Sequence, residues 1–306
     1  MYGHQPDHVS STAIGGINGS LPLDLELLDR PILRQLTNLN EFQKCEALQR
    51  QVWGPEDVVF VPALVLITAR HNGGIVIGAF DREDELLGFV CSFPGLTESS
   101  QVKQCSQLLA INPAYQRQGI GYFLKWAQRD VALAQGISLI TWTFDPLQSV
   151  NANLNIKKLG ATASQYLVNI YGTPKRGLNA GMPSDRLVVE WRLEPNDTER
   201  QAGLDAAHPA TAAPQINEVA DCPESGFPMI GDCSFGLTDP VLRLEIPAEI
   251  GKLKASRIDL ARAWRQKTQA LLLHYFERDY RIVGFEPVRY GSERRPRYIL
   301  QRGFGQ

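Results

Sequence analysis

Along residues 30–193, hydrophobic positions either alternate with polar ones or recur every three to four residues, and the two periods predict a succession of strands and helices. Pro31 to Leu36 reads as a first strand. Asn38 followed three residues later by Glu41 is a capping-box signature that opens an amphipathic helix to about Val52, which Trp53-Gly54-Pro55 stops. Val61 to Arg70 is a short apolar run compatible with a helix or a buried strand; helix is the reading adopted. Ile75 to Phe80 and Leu86 to Phe93 are β-rich and flank Asp81-Arg82-Glu83-Asp84-Glu85, a hairpin with a solvated tip. Lys103 to Ile111 is a further strand, followed by a glycine-bearing turn and a helix from near Ile120 to about Gln135, terminated by Gly136. Ser138 to Phe144 is a strand ended by Asp145-Pro146. Val150 to Leu159 has helical spacing with Gly160 beyond it, and Tyr166 to Tyr171 and Leu187 to Leu193 are two closing strands. The predicted order is β-α-α-β-β-β-α-β-α-β-β.

From Glu194 to Asp239 the composition turns to Pro, Ala, Gly, Asp and Asn with little periodicity, as in a linker or an excursion over the surface. Val241 to Ile246 then reads as a strand. Arg257 to Arg278 reads as a helix with the apolar stripe Ile258, Ala261, Trp264, Leu271, Leu272, Tyr275 and Phe276, and Tyr280 to Pro287 and Arg297 to Gln301 as two strands. The expected organisation is a flexible tail over residues 1–29, an α/β domain over 30–193, the linker over 194–239 and a β-α-β-β unit over 240–306. So small a unit buries too little surface to stand alone and is expected to pack on the domain before it.

Composition narrows the partners. The 306 residues carry 31 Lys and Arg against 33 Asp and Glu, a formal charge of -2, so no global field draws the chain to nucleic acid or to an anionic membrane. Any anion site must be local. Five cysteines without a C-x-x-C pair indicate reduced thiols in a cytoplasm, with neither a disulfide frame nor a zinc site, and His71 and His274 are too isolated to complete a metal set. The first twenty residues lack the basic start and apolar core of a signal peptide, and no apolar run approaches membrane-spanning length.

The stretch Leu108 to Asp130, LLAINPAYQRQGIGYFLKWAQRD, carries the clearest chemistry. An apolar strand empties into Gln116-Arg117-Gln118-Gly119-Ile120-Gly121 and then into a helix. The first turn of a helix has amide donors without intrahelical acceptors, and aligned peptide dipoles add positive charge there, so the turn is a candidate anion cradle. The bland alternative is a tight turn that needs only glycine's freedom. Gly119-x-Gly121 running into Tyr122, Phe123 and Leu124 satisfies neither the dinucleotide G-x-G-x-x-G nor the P-loop template. What it does satisfy is Q/R-x-x-G-x-G/A, through Gln116, Gly119 and Gly121. With the Asn112-Pro113 step, Tyr115 and the helix from Ile120, the stretch resembles the coenzyme A pyrophosphate loop of the GNAT acyltransferase superfamily. The predicted element order over residues 30–193 is also that family's, and Phe144 to Gly172 is similar to a poorly characterised subgroup of predicted acetyltransferases.

The resemblance implies a mostly antiparallel mixed sheet flanked by helices, acetyl-CoA or another acyl-CoA as co-substrate, no metal, and a small-molecule or peptide amine as acceptor. It implies that the backbone of Leu109, Ala110 and Ile111 lines the pantetheine arm and that the loop Gln116, Arg117, Gln118, Gly119, Ile120 and Gly121 takes the diphosphate, with Asn155 a further coenzyme or acceptor contact. Arg117 is either an inward charge or a solvated one. Direct attack by an amine on the thioester needs a base, an oxyanion donor and an acid for the thiolate. Here the sequence departs from the family. Ser99 to Asn112 holds no Asp, Glu or His, with only Cys105, Ser106 and Gln107 facing the expected region, and Ile156 stands four residues before Gly160 where the family places a tyrosine acid. Asp145 and Tyr166 are the substitutes nominated as catalytic, each with a plain structural alternative as turn residue or core tyrosine. Two activities follow: an acyl-CoA-dependent N-acyltransferase, or an acyl-CoA-binding module with weak or no turnover.

Overall fold

The computed structural model describes residues 31–54, 60–173, 181–193, 213–290 and 293–303. The tail expected over residues 1–29 and the first part of the expected linker, 194–212, lie outside them. The chain forms two compact units, Met1–Ile137 and Ser138–Gln306, so that residues 138–193 share a unit with 240–306. Each is a mixed α/β arrangement of antiparallel strands flanked by helices; over residues 31–193 the element order is the one predicted above, and beyond it two strands, Asn217–Asp221 and Pro228–Cys233, and a helix, Ile250–Ser256, are added to the expected β-α-β-β.

In the first unit, β1 (Ile32–Gln35), β2 (Ile75–Phe80), β3 (Leu86–Leu96) and β4 (Val102–Ile111) lie side by side in that order, all antiparallel. Helices α1 (Leu39–Trp53) and α2 (Ala63–His71) bury Phe42, Cys45, Leu48 and Leu66 against Val76, Phe89, Cys91 and Ala110 on one face. Strand residues alternate between faces, so Gly88, beside Phe89, points the other way, toward helix α3 (Ile120–Ala134). A Cβ on Gly88 would come within 2.7 Å of Ile111 Cδ1 and 3.4 Å of Leu124 Cδ1. The missing side chain is what lets α3 sit down on the sheet.

The capping box forms as predicted: Asn38 Oδ1 accepts from the Glu41 amide at 3.1 Å, and Glu41 Oε2 accepts from the amides of Thr37 and Asn38 at 2.8 and 3.3 Å. Arg34 completes the cluster by pairing with Glu41 and, at 2.6 Å, with Asp84 at the hairpin tip. Burial alone would push the Glu41 carboxyl up, but the Thr37 amide, Arg34 and the Asn38 amide outweigh it and hold it below the usual glutamate range. A depressed folded value means the stabilisation is complete above the ordinary value of 4.5 and is lost as the pH falls through the folded one. Glu41→Gln is therefore expected to lower the urea midpoint at pH 7 by an amount equivalent to about 1–2 kcal/mol. The gap to wild type should close on acidification; a gap that stays constant down to about pH 3 would contradict this assignment.

The second unit contains β5 (Leu139–Phe144), α4 (Ser149–Ala152) continuing as a π-helical turn over Asn153–Lys158, β6 (Thr162–Leu167), β7 (Arg186–Arg192), β8 (Asn217–Asp221), β9 (Pro228–Cys233), β10 (Val241–Glu245), α5 (Ile250–Ser256), α6 (Ile258–Phe276), β11 (Tyr280–Tyr290) and β12 (Glu293–Arg302). Its sheet runs β5-β7-β6-β11-β12-β10, again antiparallel, and β8 and β9 form a separate hairpin. Trp264, Leu271, Leu272 and Tyr275 of the α6 stripe are buried as expected, whereas Ile258 stays exposed at the start of the helix.

Three elements differ from expectation. The strand placed at Tyr166 to Tyr171 ends at Leu167, because Asn169 adopts a left-handed φ of 46° and is held there by Ser184 and Asp185: its amide donates to Asp185 Oδ1 at 2.9 Å and its Oδ1 accepts from the Ser184 amide at 3.1 Å. The helix placed at Val150 to Leu159 begins one residue earlier, at Ser149, and is α-helical only to Ala152, the rest being the π-helical turn Asn153–Lys158. Residues 213–239, expected as linker, hold the β8–β9 hairpin. It is tied down by long-range bonds: Asn217 exchanges two 3.0 Å bonds with the Glu245 backbone, Trp264 Nε1 donates to Pro228 O at 2.9 Å, and Lys267 Nζ donates to Gly231 O at 2.6 Å.

Candidate coenzyme site

Strand β4 delivers the loop. Cys91 on β3 pairs with Leu108 and Ser92 with Ser106, leaving Gln107 as a bulge in which one extra residue re-aims the strand. Beyond it, the Asn112 amide donates to Leu87 O at 2.9 Å. Hydrogen-bonded and non-hydrogen-bonded pairs alternate along an antiparallel ladder, so Ala110 directs its backbone groups at Phe89 on β3, whereas Leu109 and Ile111 direct theirs away from β3. Of the three residues nominated for a pantetheine arm, Leu109 and Ile111 thus have the required backbone orientation and Ala110 does not. Ile111 O already accepts a 3.3 Å bond from Gln116 Nε2.

The turn that follows is built from side-chain bonds to the backbone. Asn112 Oδ1 accepts from the Ala114 amide at 3.1 Å and starts the 3₁₀ turn Pro113–Tyr115, and Gln118 Nε2 donates to Ala114 O at 3.2 Å. Arg117 and Gly119 are both left-handed, with φ of 66° and 83°. Gly119 is the N-cap of α3 and offers no side chain to close the helix end. Its carbonyl accepts from the amides of Tyr122 and Phe123, while the amides of Gly119, Ile120 and Gly121 have no hydrogen-bond acceptor among the described residues. Successive outward amides at a left-handed residue form a concave anion-binding nest, here at the positive end of a 15-residue helix dipole. Arg117 is exposed and makes no ion pair among the described residues, so its charge adds to the field at the loop. This is chemistry for a phosphate or diphosphate, and the residues present fit one.

The other nominated residues belong to the second unit. Asp145 and Tyr166 come together around one buried arginine, Arg265 of α6. Asp145 Oδ2 pairs with Arg265 Nη2 at 2.6 Å and its Oδ1 accepts from the Leu147 amide at 2.9 Å, an Asx turn at the end of β5. Tyr166 donates its hydroxyl to Asp185 Oδ2 at 2.6 Å. Burial, then the hydrogen bond to Asp185, pushes the phenol upward, so it holds its proton tightly. Arg265 Nε and Nη1 are buried with no hydrogen-bond partner among the described residues. Asn155 is buried in the π-helical turn, where its carbonyl accepts from the Ala161 amide at 3.1 Å.

One polar group on the buried face of α3 escaped the sequence reading. Lys125, 2% exposed, lies 3.1 Å from Ser106 Oγ and 2.8 Å from Gln128 Oε1. The available signal was a lysine inside Phe123-Leu124-Lys125-Trp126-Ala127, where helical spacing leaves it no outward position. All five cysteines are free thiols, and burial pushes that of Cys91 up to about 12. Among the described residues no three His, Cys, Asp or Glu side chains gather as a metal site, and no helix is long and apolar enough to cross a membrane.

No protein-family model and no curated protein matches the sequence. In structure the chain is similar to acetyltransferases of the GNAT superfamily, each aligned over 54% of this chain. They include the aminoglycoside 6'-acetyltransferase type Ii (19% identity, 99% of that chain, TM-score 0.43) and the ribosomal-protein-S18-alanine N-acetyltransferase from Escherichia coli (13%, 97%, 0.42). A third is a GNAT superfamily phosphinothricin acetyltransferase from Sinorhizobium meliloti in complex with AcCoA (16%, 89%, 0.43).

Proposed function

We propose that this protein is an N-acyltransferase that uses acetyl-CoA or a related acyl-CoA to acylate a small-molecule or peptide amine. The observation that supports this most is the loop at the head of α3, where three successive amides, beginning at the left-handed Gly119, lack acceptors among the described residues. The amides of Gly119, Ile120 and Gly121 would hold the diphosphate, Arg117 would add charge, and the outward backbone groups of Leu109 and Ile111 would line the pantetheine. The coenzyme supplies an activated thioester. The chain's own part is to fix that thioester against the bulge at Gln107 and to exclude water. Asp145 and Tyr166 enter this reading through Arg265, as a buried frame for the end of β5. A second reading, an acyl-CoA-binding module with little turnover, draws support from the absence of Asp, Glu and His between Ser99 and Asn112.

Ligand held only by the native state stabilises it by RT ln(1 + [L]/Kd), about 2.7 kcal/mol at a hundredfold excess over Kd. Acetyl-CoA is therefore expected to raise the thermal midpoint, with a dependence on its concentration. Free-thiol release with a panel of primary amines then separates the two readings. An unchanged midpoint at millimolar acetyl-CoA would remove both.

A further inference from the structure

The buried group on α3 has a chemical consequence. Lys125 Nζ, Ser106 Oγ and Gln128 close a three-membered ring, with Gln128 Nε2 also 3.2 Å from Ser106 Oγ. Lys125 and Gln128 are buried, and Ser106 is half-buried on β4 next to the bulged Gln107. Burial is the one cause that moves Lys125, and it pushes the amine well below the usual lysine range. Helix α3 packs on β1 to β4, whose titratable residues are Arg34, Cys91, Lys103 and Cys105; its own are Tyr122, Arg129 and Asp130. None contributes to the Lys125 shift, and the one carboxylate in this set, Asp130, pairs with Arg129 at 3.0 Å. Nζ donates to Ser106 Oγ and to Gln128 Oε1, and Ser106 Oγ donates to Gln128 Oε1 at 3.2 Å; a neutral amine also carries a lone pair, toward which the Ser106 hydroxyl can turn. A neutral amine bonded to a serine on the strand before the loop is the base that this strand's sequence lacks.

We propose that Ser106, backed by Lys125, is the proton relay of acyl transfer. The proposal rests on the coenzyme reading of the glycine loop. As the acceptor nitrogen forms its bond to the thioester carbonyl carbon, Ser106 Oγ takes the amine proton and passes its own to Lys125 Nζ. The carbon–sulfur bond breaks and sulfur leaves with the electron pair. The proton returns from Lys125 through Ser106 to that thiolate, so amide and free thiol are formed and the relay is restored. Ser106 is the catalytic residue here and Lys125 a positioning residue that acts through it.

The test compares wild type with Lys125→Met, Lys125→Arg and Ser106→Ala by two measurements. One is stabilisation by coenzyme A; the other is the pH profile of thiol release from acetyl-CoA with an amine panel. Stabilisation should persist in all four proteins. Thiol release should fall about 100-fold or more in each variant, in line with loss of general base catalysis. The wild-type rate should rise with pH through a single ionisation that is missing in Lys125→Met and is not restored in Lys125→Arg, because a guanidinium does not deprotonate. A Lys125→Met protein that keeps the wild-type pH profile overturns the relay. So does a wild type that binds coenzyme yet releases no thiol above the buffer rate with any amine. A wild type that coenzyme A does not stabilise at all overturns the glycine-loop reading and the relay with it, which tells the two failures apart.

Discussion

Gly119→Asp is expected to weaken acetyl-CoA binding by about 100-fold or more. Two effects add. A side chain at a φ of 83° carries a left-handed penalty on the order of 1 kcal/mol, modest for Asp. The larger effect is a carboxylate placed where the amides of Gly119, Ile120 and Gly121 point, which both occupies those donors and repels phosphate. Charge-assisted hydrogen bonds contribute roughly 1.5–3 kcal/mol each, so losing one or two, at about 1.4 kcal/mol per tenfold, gives the stated loss. Gly119→Ala separates the two, since it keeps the strain and adds no charge; it should lose less than about tenfold. Calorimetric titration of the three proteins at low and moderate salt measures this. Equal affinity of the Asp variant and wild type would mean that phosphate is bound elsewhere.

The largest stability effect is expected at the ion pair in the second unit. Asp145→Ala removes the carboxylate that pairs at 2.6 Å with the Arg265 guanidinium, which is 3% exposed and whose Nε and Nη1 already lack acceptors among the described residues. Breaking a buried pair on one side leaves an uncompensated charge and costs about 3–5 kcal/mol. Removing both partners costs less, because the desolvation penalty of the arginine goes with it. Asp145→Ala/Arg265→Met should therefore recover a substantial part of the loss in urea unfolding. A double variant no more stable than Asp145→Ala would show that Arg265 is held chiefly by Tyr166 and Asp185, which it also faces.

Local patterns were legible in the sequence. The Asn38–Glu41 box, the charged hairpin tip and the strand–glycine–helix turn each lie within a few residues, and each formed where its spacing put it. What was not legible depends on partners far along the chain. Val219 opposite Ile230 and Ala220 opposite Met229 are the apolar rungs of a short β8–β9 hairpin, which reads as linker until Asn217 meets Glu245 and Trp264 meets Pro228. Tyr166 to Tyr171 has strand composition throughout, but Asn169 turns the chain out because Ser184 and Asp185 bond it, fifteen and sixteen residues later. The same holds for chemistry. The glycine loop announces itself, whereas the bond between Lys125 and Ser106 spans nineteen residues and the pair of Arg265 with Asp145 spans 120.

Amide resonances of the loop test the coenzyme cradle most directly. Titrating coenzyme A into nitrogen-15-labelled protein should move the amide protons of Gly119, Ile120 and Gly121 downfield as each gains a charged acceptor, and the shifts should saturate together. Saturating coenzyme A that leaves these three resonances in place would contradict the assignment of the loop as the diphosphate site.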